Sequence, residues 1–198
     1  ALASFPSLPA EWTGNPVRAD FFAVADVEPA DPPRLLVLGG SQGSLFLNRT
    51  VPRALVELKR RGLAVEVYHQ TGARWSEVVA TNYADLGLEG EVRAFLPKPW
   101  SAVAAADLVV ARAGALTVAE LAAAGRGALL VPFAAAAGQH QEHNARALER
   151  AGGAVVLTEG EATPQRVAET LGELLADSER LRALGRRARQ VALPNAAA

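Results

Sequence analysis

A chain of 198 residues with 50% hydrophobic content is long and apolar enough to bury the core of one large domain, which excludes a disordered chain. Its 20 basic and 21 acidic residues nearly cancel to a net charge of -1, so no overall basic field points to nucleic acid or to an acidic membrane. Cysteine is absent, which removes disulfides, thiolate catalysis and thiolate metal sites and fits a cytoplasmic protein, and no apolar run approaches the ~18 residues of a bilayer span, so no direct membrane insertion is expected.

Methionine is absent as well. A natural chain starts with one, so a polypeptide opening Ala1-Leu2-Ala3-Ser4 is expected to have been processed, trimmed or excised from something longer. Residues 1–33 carry prolines at 6, 9, 16, 29, 32 and 33 and no sustained helical period; they read as an extended lead-in or linker ending in a loop from Asp26 to Pro33. From Arg34 the texture becomes regular. A strand at Arg34 to Leu38 is followed by a helix at Leu45 to Arg61, a strand at Ala64 to His69, a helix at Arg74 to Leu86 and a strand at Val92 to Phe95. A short helix near Ser101 to Ala106 leads to a strand at Leu108 to Ala111, a helix at Ala115 to Ala124, a strand at Ala128 to Val131, a helix at Gln141 to Ala151 and a strand at Ala154 to Leu157. Thr163 with Pro164 opens a helix to about Ala176, and Asp177 or Ser178 caps a last one to about Val191. Strands alternating with helices predict an α/β fold, a doubly wound parallel sheet of Rossmann-like type over residues 34–192, with a tail at 193–198.

Two glycine turns stand where such a sheet would end. Gly39, Gly40, Ser41, Gln42 and Gly43 follow the first strand and open the first long helix, the context a phosphate-binding loop requires. The lysine of a Walker A loop is missing and the spacing is not GxGxxG, so neither a nicotinamide nor a flavin cofactor is favoured. The second turn, Arg112 to Gly114, lies between a buried-strand pattern and a strong helix former with an apolar face at Leu116, Ala119 and Leu121. The unpaired N–H groups and dipole of that helix start favour a phosphate, and Glu120, one turn further on, is placed to accept hydrogen bonds from the hydroxyls of a ribose. The competing readings are a solvated glutamate and glycines that merely tighten strand-to-helix turns.

Other polar residues carry less. His69, with Gln70, Thr71 and Gly72, ends the second strand on the same edge and reads either as a cleft residue or as a packed histidine. His140 and His143 flank Glu142 without a third ligand, and no Asp-x-Asp pair stands ready for a divalent cation, so no metal is expected. Gln139, Gln141 and Asn144 suit reading hydroxyls, or simply a polar helix start.

Taken together, Gly14 to Arg18, Gly39 to Gly43 with Asn48, His69 to Gly72, Asp107 to Glu120, Val131 to Phe133, and His140-Gln141 with Asn144-Ala145 carry a family resemblance in their order and spacing. The chain resembles the C-terminal, nucleotide-sugar half of the MurG family, GT-B glycosyltransferases that use UDP-N-acetylglucosamine to complete the lipid-linked disaccharide precursor of peptidoglycan. The resemblance implies an inverting, metal-independent transferase acting on lipid-linked muramyl-pentapeptide at the cytoplasmic face of the membrane. It implies that Ser41 and the backbone of Ala115, Leu116, Thr117 and Val118 hold the diphosphate, with Gln42, Gly43 and Gly114 among the substrate-binding residues. It further implies that Glu120 takes the ribose hydroxyls, Leu96 presents backbone to uracil, Arg18 sits on the nucleotide side and Gln141 reads the sugar. The family's N-terminal half, with its acceptor site, presumed general base and membrane-binding patch, has no counterpart in these residues, so the chain by itself is expected to be inactive. Gly125-Arg126-Gly127 and Ala134 to Gly138 depart from the family's pattern, on the sugar side in the second case. Other classes remain open: a nucleotide-sugar binding module without activity, a glycolipid glycosyltransferase, or a UDP-N-acetylglucosamine epimerase, which would need clustered catalytic acids that are not evident.

Overall fold

Strands β1 (Arg34–Leu38), β2 (Glu66–Gln70), β3 (Glu91–Arg93), β4 (Leu108–Ala111), β5 (Ala128–Leu130) and β6 (Ala154–Val156) form one sheet in the computed structural model, which describes residues 14–26 and 28–194. Every pairing is parallel and the order is β3-β2-β1-β4-β5-β6. The helices are α1 (Ala19–Phe22), α2 (Leu45–Arg60), α3 (Ser76–Asp85), α4 (Pro99–Ala105), α5 (Ala115–Ala124), α6 (His140–Arg150), α7 (Pro164–Leu175) and α8 (Ser178–Gln190).

The period of two along each strand divides the core. Leu35, Val37, Val67, Leu108, Val110 and Leu129 point to one face, where they meet α2 through Leu47, Val51 and Leu58 and α7 through Val167, Leu171 and Leu174. Leu36, Val109, Ala111, Leu130 and Val156 point to the other, against Phe21, Val103, Leu121 and Leu148. Both faces are covered, as an all-parallel sheet requires. Local chemistry sets where the helices begin: Ser44 Oγ accepts from Leu47 N at 3.3 Å, Thr163 Oγ1 from Arg166 N at 3.2 Å and Asp177 Oδ1 from Arg180 N at 2.9 Å.

The stretch read as an extended lead-in departs from that expectation between Val17 and Val24. Phe21 is fully buried in the single turn of α1, with Val17 and Val24 buried beside it, and its ring meets Trp100 edge-on at 6.4 Å. Four residues are too few to display a helical period, so only packing reveals the turn. Two arginines fasten it. Arg126 donates to the carbonyls of Ala25 (2.9 Å), Ala104 (2.9 Å) and Val103 (3.2 Å), and Arg189 donates to those of Val24 (2.6 Å) and Ala124 (2.8 Å). The rest of the lead-in up to Thr13, and the tail from Asn195, lie outside the described residues. Among the described residues no helix is long and apolar enough to cross a membrane.

The strand order has one consequence for function. The chain runs outward from β1 to β3, then returns to lay β4 on the opposite side of β1, so the direction of winding reverses between β1 and β4. Loops leaving those two C-terminal ends diverge and leave a crevice, where ligands of open α/β sheets bind. Leu38 pairs with Ala111, so both loops start level, at Gly39 and Arg112.

Candidate functional site

The crevice is a cleft of about 760 Å³. Its walls are the loop Gly39–Ser44, Arg49 and Arg53 from α2, then Arg112, Gly114 and Thr117, together with Phe133, Gln141 and Glu159. Among the described residues lining it, three arginines face one carboxylate, so the cleft favours an anion.

The first glycine loop is shaped by close backbone approach. Gly43 adopts φ +74°, and a Cβ there would lie 1.9 Å from the carbonyl oxygen of Thr71. Gly72, at φ +83°, abuts Gly43 from the other side. The two turns therefore nest, which leaves Ser41 and Gln42 exposed at the cleft wall. Beneath them lies a buried polar chain. His69 is fully buried, its Nδ1 3.0 Å from Tyr83 Oη and its Nε2 3.1 Å from Asn48 Oδ1, while Asn48 Nδ2 donates to Thr71 O at 3.1 Å. Because the Asn48 amide nitrogen serves Thr71, its oxygen must accept, so His69 carries its proton on Nε2 and accepts from Tyr83. Burial lowers the His69 pKa to about 4 and pushes the Tyr83 phenol up. Of the two readings of His69, the structure selects the packed one.

The second loop ends in Gly114, the N-cap of α5, which offers no capping side chain, and no acid occupies the first turn. The N–H groups of Ala115, Leu116 and Thr117 at this helix start therefore lack an intrahelical partner. Gly114 and Thr117 line the cleft, whereas Ala115 and Val118 line an adjoining apolar groove of about 310 Å³ with Val17 and Phe22. Asn15 Nδ2 donates to Ala115 O at 3.4 Å, tying the N-terminal segment to this turn.

Glu120, half-buried on α5, has a pKa raised to about 6 by burial, with the charge of Arg18 acting in the opposite sense. Arg18 is exposed and stacks over Trp100 at 4.5 Å. Leu96 is buried in the loop after β3, within the cluster that holds Val17 and Val103. His140 and His143 are exposed on α6, and no group of three metal-ligating side chains gathers among the described residues.

Gln141 and Asn144 do more locally than their position suggested. Gln141 Oε1 accepts from Ala113 N at 3.2 Å and Phe133 N at 3.1 Å, and Asn144 Nδ2 donates to Ala113 O at 3.1 Å. Both backbone groups of Ala113 are thereby clamped by α6, which fixes the turn that presents α5. Arg112, in the turn between β4 and α5, is tied to three other segments of the chain. Nε donates to Ser44 Oγ at 2.9 Å and Nη1 to the carbonyls of Val131 (3.1 Å) and Pro132 (3.3 Å), while Nη2 pairs with Glu159 at 2.5 Å. The guanidinium also lies 5.3 Å from the ring of Phe46 and 5.4 Å from that of Phe133. Burial lowers its pKa and the bond to Glu159 opposes the shift. An arginine directly after a fully apolar strand was the one available signal for it.

The chain has relatives among known glycosyltransferases. The Glycosyltransferase family 28 C-terminal domain matches residues 34–198. The UDP-N-acetylglucosamine--N-acetylmuramyl-(pentapeptide) pyrophosphoryl-undecaprenol N-acetylglucosamine transferase of Ectopseudomonas mendocina is 44% identical over 186 residues, covering 93% of this chain and 52% of that protein. The enzyme of the same name from Solibacter usitatus is 41% identical over 204 residues, covering 100% of this chain and 56% of that protein. The crystal structure of MurG from Acinetobacter baumannii superposes with a TM-score of 0.76 at 34% identity, over 96% of this chain and 55% of that one. A structure from Listeria monocytogenes, 12% identical with a TM-score of 0.60, shares the fold alone. This chain spans about half the length of the curated relatives it matches. With its parallel Rossmann-like sheet and its cleft at the β1/β4 switch point, the chain belongs to the glycosyltransferase family 28 C-terminal domain family.

Proposed function

We propose that this chain is the donor-binding half of an inverting glycosyltransferase that moves N-acetylglucosamine from UDP-N-acetylglucosamine to the lipid-linked muramyl-pentapeptide of peptidoglycan synthesis. The observation that carries the reading is the bare N-terminus of α5, which faces the Gly39–Gly43 loop across the switch point with Glu120 behind it. The diphosphate would lie between Ser41, Gln42 and Gly43 on one side and Gly114 with the first-turn N–H groups of α5, from Ala115 to Val118, on the other. Glu120 would take the ribose hydroxyls, Leu96 would meet uracil through its backbone, and Arg18 would stand on the nucleotide side. Gln141, holding Ala113 and Phe133 together, would shape the sugar side.

The chemistry needs little from these residues beyond placement. As the acceptor hydroxyl attacks the anomeric carbon, the bond to the diphosphate oxygen breaks and negative charge grows on departing UDP. Helix N-terminal N–H groups aimed at that charge stabilise it without reorganising. The base that takes the acceptor proton, the acceptor site and the contact with the cytoplasmic face of the membrane would come from elsewhere in a longer protein.

Titration calorimetry with UDP, UDP-N-acetylglucosamine and GDP tests the reading. The two uridine ligands should bind and GDP should bind at least tenfold more weakly. Equal affinity for GDP, or no uridine binding, would overturn it.

A further inference from the structure

Among the described residues lining the cleft, one group opposes an anion. Glu159, in the loop after β6, lines the same wall as Arg112, and the two side chains are only 23% and 15% exposed. Arg112 is otherwise committed: three of its five N–H groups go to Ser44, Val131 and Pro132, and a fourth to Glu159. The three neutral acceptors hold the guanidinium in place without touching its charge. Among the described residues Glu159 alone pairs with its charge. By contrast, Arg49 and Arg53, the other cations of the cleft, are exposed and enter no ion pair among the described residues, so their charges are screened by water. The least screened positive charge in the cleft is therefore already spent on a carboxylate of the chain itself.

We propose that Glu159 sets the anion affinity of the cleft, competing with a phosphoryl group for Arg112 and so weakening the hold on a diphosphate. Arg112 remains anchored by Ser44 and the two carbonyls whichever anion it faces, so the exchange needs no movement of the sheet. For a transferase the consequence lies in product release: a site lined by three arginines and two helix starts would retain a nucleoside diphosphate, and a built-in carboxylate shortens its stay. The inference rests on the reading of the cleft as a diphosphate site.

The test compares the parent chain with Glu159→Gln, and with Glu161→Gln as a control for loss of nearby charge. Glu161 accepts from Thr158 in the same loop and makes no contact with Arg112. Affinities for inorganic pyrophosphate, UDP and uridine are measured by calorimetry at fixed ionic strength. Removing a partly buried like charge beside the ligand should tighten pyrophosphate and UDP by roughly five- to twentyfold in Glu159→Gln. Uridine, which carries no phosphate, should be unchanged, and Glu161→Gln should behave as the parent. Unchanged or weaker pyrophosphate binding in Glu159→Gln, or an equal gain in Glu161→Gln, would overturn the proposal. If pyrophosphate tightens while UDP binds neither protein, Glu159 keeps its role and the nucleotide reading fails. If the parent binds UDP and Glu159→Gln binds it no better, the nucleotide reading stands and this inference falls.

Discussion

Tyr83 Oη, on α3, lies 3.0 Å from Nδ1 of His69 at the end of β2, and this contact turns a histidine at the ligand edge inward. The pair supports Thr71, through Asn48, and Thr71 in turn receives Gly43.

A neutral, buried His69 makes stability depend on pH. Its pKa falls from 6.5 to about 4 on folding, because burial disfavours the charged ring. The unfolded chain therefore binds this proton at higher pH than the folded one. The contribution is complete above 6.5 and is lost as pH falls through the window down to about 4, amounting to on the order of 3 kcal/mol. Urea unfolding at pH 7 and pH 5 should show about 2 kcal/mol of that loss in the parent and a smaller loss in His69→Gln. Equal pH dependence in the two proteins would contradict a neutral His69.

The two positive-φ glycines of the first loop should respond differently to alanine. At Gly43 the added Cβ would collide with the Thr71 carbonyl, whereas Gly40, at φ +78°, has open space around it. Gly40→Ala should cost about 1 kcal/mol from backbone conformation alone, and Gly43→Ala about 2–4 kcal/mol with displacement of the Ser41 turn. Thermal unfolding and UDP affinity of both variants check this, and similar values for the two would remove the nesting of the turns as the cause.

Glu120 should make nucleotide binding pH-sensitive. Burial has raised its pKa to about 6, so it is ionised at pH 7.5 and largely protonated at pH 5. A carboxylate accepting from a ribose diol contributes roughly 1.5–3 kcal/mol, and the protonated form surrenders one acceptor. UDP affinity should fall as pH drops through 6, more steeply in the parent than in Glu120→Gln, where only the ligand's phosphate titrates. Glu120→Ala should also lose discrimination between UDP and 2'-deoxy-UDP. Parallel pH curves for parent and Glu120→Gln would argue against the ribose contact.

Binding should not require a divalent metal. Two helix starts and three arginines would meet the diphosphate, and no set of acidic ligands gathers in the cleft among the described residues. Chelation with EDTA should leave UDP affinity within twofold; a tenfold loss restored by Mg²⁺ or Mn²⁺ would refute the metal-free scheme.

Much of this protein is written in local pattern. The apolar run Leu108 to Ala111, a glycine, and ten residues of strong helix formers specify a buried strand, a turn and α5 with the bounds the structure shows, because hydrophobic period and backbone propensity are properties of neighbours in the chain. Thr163 and Asp177 announced their helices in the same way, through caps that act over three residues. The positions of the two glycine loops and of Glu120 were legible for that reason.

What those loops face was decided by tertiary structure. Strand order brings Gly39 level with Arg112, and it brings Arg112 to Ser44, 68 residues back, and to Glu159, 47 residues on. No local period encodes such meetings; they follow from which strand lies beside which. The same holds for Gln141, whose carbonyl was free in the sequence and is spent on Ala113 and Phe133 in the fold, and for His69. A histidine at a strand end can turn toward the cleft or the core, and what settles it is whether the other elements bring a hydroxyl and an amide close enough to satisfy both ring nitrogens.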